Sequence, residues 1–542
     1  MKKKTLYFLM FFVIIMLIMT FSSCENNAKI VPVNGVALNH ETLTLVLGTE
    51  AKLEIIISPE NATNKEVIWN SSDEEVVKVS AEGLVSAMTE GTAIITVSTL
   101  DGDFSADCEV IVVIPTVYTV ADVNEWNIAV NSIRVGGNDR SYKIYIEDNF
   151  YIPGYYEPTF GEVEHISVTI KGSKIISLIS SGSLLYIGRN QRLYISDVSL
   201  EGYDVNNAPI INVVGQNSIL TLLNNTIIKS NGNQGIYIAG DGSELIMYGG
   251  HIFENDNGGV LIENNSRFIM YDGHIYKNGN GGKLLNNDNI YTNHVEKFSK
   301  NISFGGVAIG YYSVFFMYGG AIYENSAEIG AGVYSGYWGM FSMYGGTISE
   351  NISDRDGGGV NIGFNSSFSM HGGNITKNSA QNGGGVSGLH FNMYGGIINE
   401  NIAIVGGGVS THNFFISDGI ISNNIAIESG GGVLGYEFLM SGGIISGNYA
   451  GENGGGVHAL GPLSINPIGQ TILGNVIIYG SLESGVPANL ANSSGIRGAA
   501  LSRSSSSVVI KYINGTDVLP HCDGHELYTD YTVALSNFIC IY

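Results

Sequence analysis

Three kinds of side chain in this sequence have the types and spacing for chemistry: acids, imidazoles and a cluster of aromatics. Glycoside hydrolysis needs two carboxylates facing across a cleft, and elimination on uronates needs a base, usually with a bound cation. In the repetitive part of the chain, the outward positions that follow each Val-ending corner are Tyr334, Asn361, Ser387, Ser410, Leu434 and His458, and none is acidic. Asp197, Glu201 and Asp204, on an earlier and less regular stretch, are the acids that keep an enzymatic reading open. Asp256, Glu328, Asp354, Asp356, Glu428 and Glu452 recur near one corner of the repeat but lack the spacing of a calcium-binding nonapeptide, so no cofactor is assigned and Ca²⁺ is unsupported. His251 and His274 fall at the same place in successive repeats. Two imidazoles without a third ligand make a poor metal site, and plain surface stacking is expected. Tyr311, Tyr312, Tyr334, Tyr337 and Trp338 gather around one pair of repeats. They are the candidate ligand patch, because exposed aromatics stack on sugars or anchor a protein partner; packing beneath loops is the alternative. The four cysteines, Cys24, Cys108, Cys522 and Cys540, form no Cys-x-x-Cys pair, so zinc and thiol redox chemistry lack support. Whether Cys522 and Cys540 pair is open.

The net charge of −24, with only 14% charged residues and no basic stripe, disfavours nucleic acid as a partner. With 73 glycines, no three-residue Gly period and 44% hydrophobic residues, the chain is neither collagen-like nor disordered. Such a composition suits many short strands joined by tight turns.

The elements that position these residues are set by a repeat. LIMYGGHIFEN, FIMYDGHIYKN, FFMYGGAIYEN, FSMYGGTISEN, FSMHGGNITKN, FNMYGGIINEN, FFISDGIISNN and FLMSGGIISGN align without gaps, anchored at Met247, Met270, Met317, Met343, Met370, Met393, Ile416 and Met440. An apolar residue stands two before each anchor, Gly three after it, Ile five after it and Asn eight after it. The pair at spacing two reads as a strand with one buried face, and the glycine as a corner at φ > 0. Asn255, Asn278, Asn325, Asn351, Asn378, Asn401, Asn424 and Asn448 suit a bend, because Asn tolerates the left-handed region and bonds to nearby backbone. A third strand begins at a Gly-rich corner ending in Val333, Val360, Val386, Val409, Val433 or Val457. Three short strands per coil describe a parallel β-helix, in which equivalent side chains stack from coil to coil and the asparagines form a ladder. Glu350, Lys377 and Glu400 are expected to be exterior neighbours. The interval from Met270 to Met317 spans about two periods and requires a degenerate or looped-out coil. Looser pairs, Ile144/Ile146, Val168/Ile170, Leu193/Ile195 and Leu220/Leu222, carry the pattern back to about residue 142. Before it, Val120 to Arg134 reads as an amphipathic helix capping the open end, with Val123, Trp126, Ile128 and Val130 as candidate buried positions.

Residues 31–114 read as a small β-sandwich of short alternating strands, among them Leu43–Leu47, Ala51–Ile57, Val76–Val79 and Ala93–Val97. Val33-Asn-Gly-Val36, the Ser58-Pro-Glu-Asn-Ala-Thr turn, Trp69 followed by Asn-Ser-Ser-Asp, Glu82-Gly-Leu-Val85 and Glu90-Gly-Thr-Ala-Ile-Ile-Thr-Val97 resemble the bacterial immunoglobulin-like group 2 family. That resemblance implies a spacer or adhesive module, no enzymatic activity, and Trp69 as a core residue. At the N-terminus, Lys2 to Lys4, an apolar run from Leu6 to Phe21 and Ser22-Ser23-Cys24 have the layout of a secretory signal. Small residues before a Cys resemble the lipobox of bacterial lipoproteins, which implies acylation of Cys24. An uncleaved membrane anchor is the alternative, and either places the rest outside the cytoplasm. The GGAI and GGGV motifs over about 240–460 resemble the repeats of polymorphic outer-membrane proteins and adhesins with pectate-lyase-like β-helices.

The expected organisation is therefore all-β: signal peptide 1–23, linker 24–30, sandwich 31–114, linker and capping helix 115–141, parallel β-helix 142–464, and terminal coils and cap 465–542. The expected function is a non-enzymatic, lipid-anchored protein of the cell surface or outer membrane. Its partners are the membrane, through the lipid, and a host or matrix glycan or protein. A polysaccharide lyase or hydrolase is the second reading and a structural envelope component the third. The sequence sets no oligomeric state.

Overall fold

The computed structural model describes residues 31–279 and 304–460, apart from residue 453, together with short strands between residues 463 and 510. The signal segment, Cys24, the 24–30 linker, residues 280–303, Cys522 and Cys540 lie outside the described residues. The chain divides into two compact units between Ile114 and Pro115.

The first unit is a sandwich. Thr42–Val46, Ser105–Val113, Gly91–Thr99 and Val67–Ser71 form one sheet in that order, and Glu50–Lys52, Leu84–Ala87 and Val77–Val79 form a second. A short pair, Gly35–Leu38 with Ile55–Ser58, completes it. Strict alternation along Gly91–Thr99 and Ser105–Val113 sends Ala93, Ile95, Val97, Cys108, Val110 and Val112 inward. The expected strand Ala51–Ile57 is broken at Leu53 and Glu54, where the chain leaves one sheet for another strand pair. Leu53 stays buried at the break and bonds through its amide to the Gly83 carbonyl. Trp69 packs against the core. Gly83, at φ +79, leaves no room for a Cβ, which would lie 2.7 Å from the Trp69 ring.

The second unit is a right-through stack of parallel strands. A 24-stranded sheet, a 13-stranded sheet and, from Ser326 onward, a six-stranded sheet form its faces. The 13-stranded sheet has one strand per coil, giving about thirteen turns. The ladders of the 24- and 13-stranded sheets run in register from coil to coil, whereas three ladders of the six-stranded sheet carry a register shift. Phe268, Phe315, Phe341, Phe368, Phe391, Phe414 and Phe438 form one fully interior column with rings 4.6–5.5 Å apart. Met and Ile columns flank it. The glycine three after each anchor has φ between +78° and +113°, as a left-handed corner requires.

The Val-initiated strand and the Phe-x-Met strand are not separate faces. They run end to end within each coil of the large sheet and fuse into single strands at Val386–Met393, Val409–Ile416 and Val433–Met440, where the loop between them shortens. The third face comes instead after each Asn from Asn325 onward, in Ser326–Ile329, Ile352–Asp356, Ser379–Asn382, Ile402–Val405, Ile425–Ser429 and Tyr449–Ala450.

The asparagines stand in one file. Asn378 Nδ2 donates to Asn401 Oδ1 at 3.0 Å and to the Ile348 and Thr376 carbonyls at 3.0 and 3.1 Å. Its Oδ1 accepts from Asn351 N and Nδ2 at 3.0 and 2.9 Å. The rung-to-rung bond repeats from Asn255 to Asn448, and every rung is buried. Asn255 opens the file, and its Oδ1 has no partner. The asparagines themselves are not the left-handed residues. That conformation belongs to the residue before each: Glu254, Lys277, Glu324, Glu350, Lys377, Glu400 and Asn423 at φ +52° to +57°, and Gly447 at +64°. The bend needs the Asn side chain turned inward, so the reversal falls on its neighbour. In this exterior column Lys277 and Glu324 pair at 3.7 Å. The corner glycines before each Val fit over the ladder: a Cβ on Gly359 would lie 2.6 Å from the Gly385 carbonyl and 3.1 Å from Asn378 Nδ2.

Three sequence expectations shift. Val117–Val120 already pairs in parallel with Lys143–Ile146, so the stack begins before residue 142. Within the first coils, Val168 and Ile170 pair with Tyr142 and Ile144; the register is two residues from the expected Ile144/Ile146, which keeps the same face inward. The helix spans Val123–Val135, capped by Asp122, whose carboxylate accepts from Asn124 N and Glu125 N. Its buried stripe is Trp126, Ala129, Val130 and Ile133, the i, i+3, i+4, i+7 pattern; Ile128 falls on the opposite side and is exposed. Between Met270 and Met317 the ladders pass directly from one coil to the next, in agreement with the looped-out alternative: Val260–Ile262 pairs with Val307–Ile309 and Arg267–Met270 with Val314–Met317. After residue 460, Val476–Ile478, Leu501–Arg503 and Val508–Ile510 continue the parallel ladders.

Candidate functional site

One corner of the coil lies three residues before the inward Tyr, Val, Leu or Phe of the large sheet. In nine coils this position is left-handed: Asp139, His165, Asn190, Asn217, Gly242, Asn265, Tyr312, Trp338 and Asn365, at φ +53° to +72°. Gly, Asn, Asp and His are the residues that tolerate this region; a bulky aromatic there is an outlier. Tyr312 and Trp338 are those two outliers. Each costs about 1 kcal/mol relative to its small counterparts. Both are well exposed, 59% and 46%, with rings 5.8 Å apart and nearly parallel. The coils on either side place Asn265 and Asn365 at this position, so no aromatic neighbour from the column covers the outer faces of the pair.

Tyr311 stacks on Tyr337 at 6.2 Å, and Tyr337 leans on Phe364 at 6.0 Å. Four of the five residues of the expected patch thus come together, joined by Phe364. Tyr334 does not join them. It is buried on the sheet's outer face in a cluster with Phe304 and Ala308, against which Leu261 and Ile329 pack.

Beyond Tyr334 the same outward column runs Asn361, Ser387, Ser410 and Leu434 in register. It forms the floor of a groove of about 520 Å³. Phe364, Leu389, His412, Tyr436 and Leu460 line it on one side, continuing the aromatic patch. Asp356 and Asn382 line it on the other, with Asn382 Nδ2 donating to Asp356 Oδ1 at 2.8 Å. Among the described residues, no lysine or arginine lines the groove.

A second aromatic file follows the anchors: Tyr248, Tyr271, Tyr318, Tyr344, His371 and Tyr394, stacked at 4.7–5.3 Å. The residue after each anchor carries this signal, yet it points to structure. Rings stacked so closely cover one another's faces and turn only edges and hydroxyls outward.

Several of the remaining candidates have partners within the fold. Asp197 accepts from Ser196 Oγ at 2.6 Å and Asn225 Nδ2 at 2.9 Å, which hold it below the usual carboxylate range. Glu201 pairs with Lys229 at 2.9 Å, and Glu328 with Arg355 at 3.2 Å. His251 and His274 stack at 4.9 Å; burial, then the neighbouring imidazole, holds His251 below its ordinary value. Among the described residues, no group of three or more His, Cys, Asp or Glu is arranged to hold a metal. One further acid is buried within the stack. Glu263 is 5% exposed, accepts from the Tyr237 hydroxyl at 3.0 Å, and is pushed up by burial. No motif marks it, since its burial arises from neighbouring coils.

Residues 32–110 match the bacterial Ig-like domain (group 2) family. The chain is similar to an alpha-L-arabinofuranosidase of Bifidobacterium longum subsp. longum, 39% identical over 82 residues, which are 15% of this chain and 8% of that protein. It is also similar to the kappa-carrageenase of Pseudoalteromonas carrageenovora, 44% over 77 residues, 14% of this chain and 19% of that one. A third relative is an Ig-like virion protein of Serratia phage KSP90, 38% over 86 residues, 16% and 33% respectively. The chain therefore spans a third or less of these relatives, and the likeness to the two enzymes is confined to the Ig-like domain. Domains of this family typically occur in extracellular or surface proteins. No helix among the described residues is long and apolar enough to cross a membrane.

Proposed function

We propose that this chain is an exported surface protein, tethered by a lipid on Cys24 and set off by its Ig-like domain, that binds a polymeric ligand along the β-solenoid. The observation that carries the reading is the placement of Tyr312 and Trp338 at a left-handed corner where seven other coils use Asp, His, Asn or Gly. Strain held at an exposed aromatic pair is an outlier best explained by contact with a ligand. The adjoining groove extends that contact over several coils. A glycan is the first ligand to test, because the Ig-like relatives include proteins named for glycan-cleaving activities. A glycan and matrix-protein array gives saturable binding that falls for Trp338→Ala; unchanged binding by that variant removes the aromatic pair from the function. A second reading, hydrolysis or elimination at the buried Glu263, draws on the same relatives. It predicts turnover of a polysaccharide panel that Glu263→Gln abolishes.

A further inference from the structure

Resting on that reading, we propose that the groove takes a linear, uncharged glycan lying along the solenoid axis, with one sugar residue to each coil. The groove repeats with the stack. Asn361, Ser387 and Ser410 each present one small amide or hydroxyl on the floor in successive coils. Phe364, His412 and Tyr436 present rings along one side. The spacing of these subsites is the spacing between strands, about 4.8 Å.

That pitch selects among polymers. An extended peptide repeats its side chains on one face every two residues, about 6.7 Å, and drifts out of step with the coils within two of them. A pyranose residue in an extended chain has nearly the length of one coil step, so successive sugar residues keep pace with successive coils. Charge selects further. Carboxylate and sulfate groups are held most strongly by Lys or Arg, and among the described residues neither lines the groove. The nearby Arg355 pairs with Glu328 at 3.2 Å, Asp356 stands on the wall, and the whole chain carries −24. A polyanion brought here meets like charge.

The test is retardation of the full chain in native gels containing a soluble β-glucan, a glucomannan or an arabinoxylan, against gels containing polygalacturonate, alginate or carrageenan. At least one neutral polymer retards the chain, with affinity unchanged between about 0.05 and 0.5 M salt, where exposed charges are progressively screened. Tyr436→Ala, at an exposed ring, weakens that retardation about fivefold or more. Ser410→Arg, which fills the floor, abolishes it. Tyr394→Ala, on the stacked file outside the groove, leaves it intact. Salt-sensitive retardation by the anionic polymers with none by the neutral ones overturns the uncharged class while glycan binding stands. Equal loss with Tyr394→Ala overturns the groove as the site. Retardation by none of the six overturns both this inference and the glycan reading beneath it.

Discussion

Replacing Asn378 by Ala tests the ladder at its middle. The substitution removes the acceptor of Asn351 N and Nδ2 and the donor to the Ile348 carbonyl. Asn351 keeps its bond to the Ile322 carbonyl, and Asn401 Oδ1 keeps the Asn378 main-chain amide. Two or three buried polar groups are therefore left unpaired, each at about 1–3 kcal/mol, for a local destabilisation of about 3–6 kcal/mol. Each coil contacts only its neighbours, so the damage concentrates at one interface in the stack. Hydrogen exchange read by mass spectrometry across residues 345–405 reports it. Amides there exchange about 10²–10⁴-fold faster, while the Ig-like domain is unchanged. Lys377→Gly is the matched control: it frees the left-handed residue next door at φ +57° and leaves stability equal or slightly higher. An increase of less than tenfold for Asn378→Ala would refute the argument, since the buried amides would then be dispensable.

Trp338→Asn relieves the left-handed strain and loses the Tyr312 stack, two effects of about 1 kcal/mol that nearly cancel; urea midpoints stay close while array binding drops at least tenfold. Glu263 sits in the fold with its carboxyl raised, so the protein draws stability from it below about pH 4.5, the unfolded value, and loses that contribution as pH rises through the folded value. Glu263→Gln keeps an acceptor for Tyr237, so its thermal midpoint exceeds the parent's at pH 8 and converges with it at pH 4. Phe391→Ala empties one place in the Phe column and costs about 3–5 kcal/mol by denaturant titration; a loss below 1 kcal/mol would mean the column repacks freely.

The coil-to-coil order was open to reading because every constant position has one physical task. Gly at a left-handed corner, Ile and Phe inward, and Asn at the bend each exclude most other residues. What stayed hidden depends on neighbours far apart in sequence. The left-handed residue before each Asn is Glu or Lys in six coils, so its type announces nothing. Likewise alternation makes Tyr334 a member of the exposed patch, and only the fold shows it buried in a cluster with Phe304. Trp338 and Tyr312 were noticed as a cluster, but their strained backbone needed the coils aligned in space. The groove floor, made of Asn and Ser, carries no sequence signal by itself.

Asn278 and Asn325 are hydrogen-bonded rungs although they stand 47 positions apart, where the rungs on either side are 23 and 26 apart. The scaffold thus accepts a long interruption at that corner with its internal order intact. A foreign peptide grafted there would be displayed from a rigid support at a fixed distance from Trp338, and changes in its length would leave that distance unaltered.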